Sequence, residues 1–179
     1  MEKGGKVVKP DIQYFKRPGK DIKLFSPDVE KLQHLAVKLI NGYLYLPDEQ
    51  RNGNNVFRLM SWLFPADRSE NKPWHIWYEL GNFDGVLGFT DILKKYRADF
   101  VAFLWGKDVW GPDLARDIKT LVGRFMKDYG VRRLGFETAD RRAARWARTL
   151  GFKQEGTKAI GFRHDGKDYT LTLLRKLYE

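Results

Sequence analysis

The chain has no cysteine. Disulfides, thiolate metal sites and a cysteine nucleophile are therefore excluded together. Histidine is scarce: His34, His75 and His164 are the only three. They stand far apart, without the spacing of metal ligands, so no metal site is expected. Apolar runs such as Phe100 to Trp105 are short, and none reaches the length needed to span a bilayer. Met1 to Lys6 has no apolar stretch behind it of the kind a signal peptide carries. No membrane partner is expected. The lack of cysteine fits a reducing, cytoplasmic setting.

What is present describes one folded domain. The chain has 179 residues, 42% of them apolar and 15% aromatic, enough to bury a sizeable core. Thirty-three Lys+Arg against 23 Asp+Glu leave a net charge of +10. Such an excess favours an anionic partner: nucleic acid, a membrane surface or a phosphorylated cofactor. Residues 1–20 read as a basic leader, with an edge-strand candidate at Ile12 to Phe15, and 21–179 as the domain.

The chain alternates between two periodicities. Asp21 to Phe25 reads as a strand. Ser26-Pro27-Asp28 opens a helix in which Val29, Leu32, Leu35, Ala36, Leu39 and Ile40 follow at helical spacing, and Asn41-Gly42 stops it. Val56 to Phe64 is a short apolar helix. Strands follow at His75–Leu80, Val86–Leu93 and Ala98–Trp105. The last carries no polar residue after Asp99, which suits the middle of a sheet. Pro112-Asp113 starts a helix that Gly130 ends. Val131–Thr138 is a strand and Arg141–Leu150 a helix. Lys153–Arg163 and Asp168–Leu177 form a hairpin around an Asp-Gly turn.

Three signatures in this order carry a resemblance. Leu150-Gly151-Phe152 followed by Glu155-Gly156 stands where a helix turns into a strand. The terminal hairpin holds Gly166-Lys167-Asp168-Tyr169. Ala143 and Ala147 occupy small positions on the last helix. Together they resemble the GNAT superfamily of N-acetyltransferases, and most closely its subgroup that acetylates ribosomal-protein N-termini. Aromatic-rich central strands and a degenerate loop are also similar to some phage-encoded members, which gives a phage or prophage origin as an expectation.

The resemblance implies an α/β (α+β) fold. Its mixed, mostly antiparallel sheet splays between the fourth and fifth strands and is flanked by helices. It implies acetyl-CoA as cofactor, with the pyrophosphate on the N-terminus of the helix after the fourth strand, where free N–H groups and the helix dipole favour an anion. The matching stretch is Trp110-Gly111-Pro112-Asp113-Leu114-Ala115. Ala115 is kept, Trp110 replaces an Arg/Gln, and Asp113 replaces the central glycine. The cofactor-binding candidates are Trp105, Gly111, Asp113, Leu114, Ala115 and Arg116, with Asp140, Arg141 and Arg142 at the start of the last helix. Pro112-Asp113 also reads as an ordinary helix start; if Asp113 points away, the N–H groups of Leu114 and Ala115 remain as phosphate donors.

Acetyl transfer needs a group that takes a proton from the amine. Glu137 and Glu79 are the acids expected nearest the cleft, and alternation places Trp77 and Glu79 on one face. A solvated strand acid in a salt bridge is the plainer reading of Glu79. The tyrosine that many members use as an acid is replaced by Ala147. The acceptor, a protein N-terminus or a small amine, is not written in the sequence. Two other readings stay open: a catalytically silent binding protein of the same fold, and a nucleic-acid-directed protein resting on the net charge and the arginines at 141, 145 and 148.

Overall fold

Seven strands join in one sheet, in the order β1-β2-β3-β4-β5-β7-β6. This is a computed structural model, and it describes residues 22–41, 47–48, 51–64 and 74–178. The expected leader and its edge strand lie outside the described residues. The strands are β1 (Ile22–Leu24), β2 (Trp74–Leu80), β3 (Gly85–Leu93), β4 (Arg97–Leu104), β5 (Arg133–Thr138), β6 (Lys153–His164) and β7 (Lys167–Leu177). The helices are α1 (Val29–Ile40), α2 (Gly53–Leu63), α3 (Pro112–Tyr129) and α4 (Arg141–Thr149), with a one-turn 3-10 helix at Asp108–Trp110. Neighbouring strands run antiparallel except β4 and β5, which run parallel.

Local chemistry explains the boundaries. Asp28 caps α1 by accepting the Lys31 N–H at 2.8 Å, and Asn52 caps α2 through the Asn55 N–H at 2.9 Å. The second helix therefore starts three residues before Val56, because its cap lies in the Asn52–Asn55 stretch. Gly130 closes α3 with φ 64°, the left-handed conformation a glycine tolerates best. Asp165 and Gly166, at φ 49° and 69°, form the tight turn that the right-handed twist of β6 and β7 selects.

The sheet is covered on both faces. Under α3 and α4, Phe89 stacks on Phe125 with centroids 3.6 Å apart. Leu87, Phe100, Ile118, Val122, Leu134 and Leu150 fill the rest of that side. Under α1 and α2, Trp77 packs with Phe25, Leu35, Leu39 and Val56. Trp77 donates its indole N–H to the Leu63 carbonyl at 2.8 Å. Its ring lies flat against Gly88, where a Cβ would come within 2.5 Å. That glycine lets α2 dock on the sheet.

Candidate functional site

The sheet opens between β4 and β5. The pair is held at Arg97–Arg133, Ala98–Leu134 and Asp99–Gly135, and from Phe100 onward no residue of β4 pairs with β5. Aromatic rings wall the wedge on the α3/α4 side. Phe100 lies 5.8 Å from Phe136, 5.7 Å from Phe152 and 6.2 Å from Trp146, centroid to centroid.

A cleft of about 660 Å³ occupies this splay. Because side chains alternate along a strand, its lining can be sorted by face. Phe100, Phe136, Trp110, Ala143 and Trp146 line it from the α3/α4 side, and Asp99, Val101, Glu137 and Leu173 from the other. The cleft therefore passes through the sheet.

Its two ends differ in charge. On the helical side a second cavity, of about 570 Å³, lies between α3 and α4 and is lined by Arg116, Lys119, Arg142 and Arg145. Trp110, Arg142 and Trp146 line both cavities. The Arg142 guanidinium sits 4.5 Å from the Trp110 ring centroid, a cation–π contact. Trp110 meets Trp146 edge-on at 5.8 Å. The Trp146 indole nitrogen is buried and has no hydrogen-bond partner among the described residues.

The start of α3 is polar but not a bare anion cradle. Gly111 is the N-cap, Pro112 opens the helix, and no side chain caps it. Ala115 donates its N–H to the Gly111 carbonyl at 3.0 Å. That is a correction: Ala115 is not an available donor, and it enters the site as a small side chain lining the second cavity. The Leu114 side chain is buried in the core. The Asp113 carboxylate lies 3.7 Å from Arg116, which partly offsets its charge.

At α4, Asp140 is an N-cap. Its carboxylate accepts the Arg142 N–H at 2.7 Å, so a carboxylate already satisfies this helix start. Arg142 lines both cavities, whereas Arg141 is exposed and lines neither. Ala147 is fully buried in the core. The residues of α4 that reach the cleft are Arg142, Ala143 and Trp146.

Two expected site residues lie elsewhere. Trp105 faces the α1/α2 side, donates its indole N–H to the Phe83 carbonyl at 2.8 Å and stands edge-on to Phe83 at 5.0 Å. It shares the strand face of Val101 and Phe103 and does not line the cleft. Glu79 shares a face with Trp77, as the alternation required, but β3 separates its strand from the splay. It is 3% exposed and holds Lys23 at 2.8 Å and Lys31 at 2.6 Å. It ties β1 and α1 to the sheet, so the salt bridge of the plainer sequence reading is there, but the acid is buried and not solvated.

Glu137 does line the cleft. Asp99, not singled out from the sequence, stands beside it. Asp99 is exposed as a residue, yet partial loss of water by its carboxyl against the cleft walls, the leading cause, raises it above the ordinary aspartate value. The Asp91 charge is the next cause, Glu137 adds to it, and Arg97 and Arg133 oppose it. His75 is shifted the other way, pushed down by burial against the pull of Asp91. Among the described residues no group of His, Cys, Asp and Glu could hold a metal ion.

No family model matches the sequence, and no curated protein sequence matches it. Solved structures do. The spermidine/spermine N-acetyltransferase SpeG from Vibrio cholerae is 15% identical, with a TM-score of 0.61 over 88% of this chain and 92% of that one. The microcin C7 self-immunity acetyltransferase MccE, solved with acetyl-CoA and AMP, is 16% identical, with a TM-score of 0.60 over 90% and 97%. RimL, a ribosomal L7/L12 α-N-protein acetyltransferase solved with coenzyme A, is 16% identical, with a TM-score of 0.62 over 87% and 93%. With its parallel, splayed β4–β5 pair and flanking helices, the chain has the fold of these acetyltransferases, the GNAT fold.

Proposed function

We propose that the chain transfers an acetyl group from acetyl-CoA to a primary amine. The observation that carries this reading is the cleft through the sheet, which lets two substrates meet from opposite faces. Acetyl-CoA, when bound, supplies an activated acyl group as a thioester. The backbone of β4 beyond Asp99, which no strand of β5 covers, suits an extended amide-bearing arm by strand addition. Arg116, Lys119, Arg142 and Arg145 give the second cavity the charge to hold phosphates. The Asp113 carboxylate, 3.7 Å from Arg116, opposes an anion at that end. That the structures of similar fold include two solved with coenzyme A or acetyl-CoA supports the same cofactor.

The alternative is a catalytically silent binding protein. It is favoured by Trp110, which lies across the boundary of the two cavities beneath Arg142. An acetylated amine detected by mass spectrometry rules the silent reading out.

Calorimetry with acetyl-CoA tests the binding step. Asp113→Gly removes a partly countered repulsion worth on the order of 1 kcal/mol, so affinity is expected to rise about fivefold. Ala115→Glu puts a carboxylate into the second cavity and is expected to abolish binding. If both variants bind like the wild type, the phosphates do not lie on α3, and the reading loses its support.

A further inference from the structure

We infer that Asp99 is the group that takes the proton from the attacking amine. This rests on the acetyl-transfer reading and names the base within that site.

Position comes first. Asp99 and Gly135 are the last residues paired between β4 and β5, so Asp99 stands where the sheet divides. Its side chain lines the cleft on the face away from α3 and α4. An acyl group carried along β4 from the basic cavity ends beside it, and an amine arriving from the other face meets it there.

Room comes second. A Cβ on Gly135 would lie 2.7 Å from Asp99 Oδ1. The glycine therefore leaves the space that the carboxylate uses. The opposing feature on β3 is a bulge: the register shifts between Thr90 and Leu93, and Asp91 takes φ 49° there. Bulges re-aim side chains, and an aspartate tolerates this conformation better than most residues.

Charge comes third. No salt bridge reaches the Asp99 carboxylate among the described residues. Asp91 faces it from β3 and Glu137 from β5. The cations are Arg97 and Arg133, and Arg133 is bound to Glu155 at 2.8 Å. A carboxylate in such company takes up a proton more readily than one in water.

In the step, the amine nitrogen forms the new C–N bond to the acetyl carbon as its proton passes to Asp99. The C–S bond breaks, and its electron pair leaves on the coenzyme A sulfur, which takes a proton from solvent. Asp99 returns its proton to solvent through the open cleft.

The test uses the full chain, acetyl-CoA, and two acceptors, spermidine and a peptide with a free alanine N-terminus. Asp99→Asn is expected to lower kcat by about 10²- to 10³-fold. The acid limb of the pH–rate profile should disappear with it, while calorimetry shows unchanged acetyl-CoA affinity. Asp99→Glu should recover part of the rate. Gly135→Ala displaces only the end of a flexible side chain and should also lower kcat without raising the KM for acetyl-CoA. Carboxyl-carbon NMR of the unliganded wild type should place the Asp99 titration above the usual aspartate range. Wild-type turnover matched by Asp99→Asn overturns the assignment and leaves acetyl transfer standing, as does an ordinary Asp99 titration. Failure of the wild type to bind acetyl-CoA, or to acetylate either amine, overturns both.

Discussion

Glu79 and Asp99 are carboxylates on neighbouring regions of one sheet, and their surroundings give them opposite roles. Glu79 is buried between two lysines, so its charge is matched. Removing it leaves the Lys31 ammonium without this acceptor. Glu79→Ala is expected to cost about 2 kcal/mol of stability, the usual scale for a lost hydrogen bond to a charged group. Urea denaturation reads this, and activity per folded molecule should not change. Asp99 is expected to act in the reverse sense. Its folded pKa is raised, so the folded state disfavours its charged form. The chain loses stability as pH rises from the unfolded aspartate pKa toward the folded value, and the loss persists above it. Asp99→Asn should therefore melt higher than the wild type near neutral pH and lose that advantage in acid. Thermal denaturation of the Asp99 variant and the wild type across pH reads this. The sequence displayed both acids, but it could not show which one a lysine answers. Lys23 and Lys31 come from β1 and α1, and their convergence on Glu79 is a tertiary fact. Asp99 appeared only as the last polar residue before an apolar strand. Its importance depends on the Gly135 register, which no local pattern encodes.

At the scale of elements, most of the order was legible. The glycine at 130 and the Asp165-Gly166 turn announce themselves locally, and each sits where it was expected; at α1 the cap is Asp28, so Pro27 stands before the helix and not in its first turn, and Asp140, expected at the cofactor, caps α4. Side-chain destinations past a strand end were less legible, as Trp105 illustrates. It stands just beyond β4 and turns toward Phe83 instead of the cleft. A contact with no sequence signal joins two distant segments. Asp48 accepts the backbone N–H of Asp165 at 2.7 Å and of Gly166 at 2.9 Å. Arg51 bonds both Asp48 and Asp165. This latch ties the stretch between α1 and α2 to the β6–β7 turn. The Gly166 bond, opposed by some loss of water, leads the causes that hold the Asp48 carboxyl below its ordinary range, and Arg51 lowers that of Asp165. Depressed acid pKa values stabilise above the unfolded value and cease to do so as pH falls through the folded one. Asp48→Asn is expected to speed amide exchange at Gly166 near neutral pH. The same acceleration should appear in the wild type only in acid.

The whole molecule separates its charges by face. The net charge of +10 says only that an anion is welcome. The fold gathers Arg116, Lys119, Arg142 and Arg145 on the α3/α4 side and sets Asp91, Asp99 and Glu137 along the opposite part of the cleft, where Arg97 and Arg133 offset only part of their charge. The acidic end suits an ammonium acceptor, and the basic end suits a phosphate-bearing donor. Nucleic acid would meet only the basic surface and leave the cleft unexplained. A passage that opens on both faces behaves as a chamber with two doors. Neither visitor has to wait for the other to enter, and neither product blocks the other's exit. Initial-rate plots should intersect, and each product should compete with only the substrate that shares its door. Free coenzyme A should be competitive against acetyl-CoA and not against the amine, and the acetylated amine should show the mirror pattern. A molecule joining the two substrates end to end could enter only by its slim amine end, from the basic side.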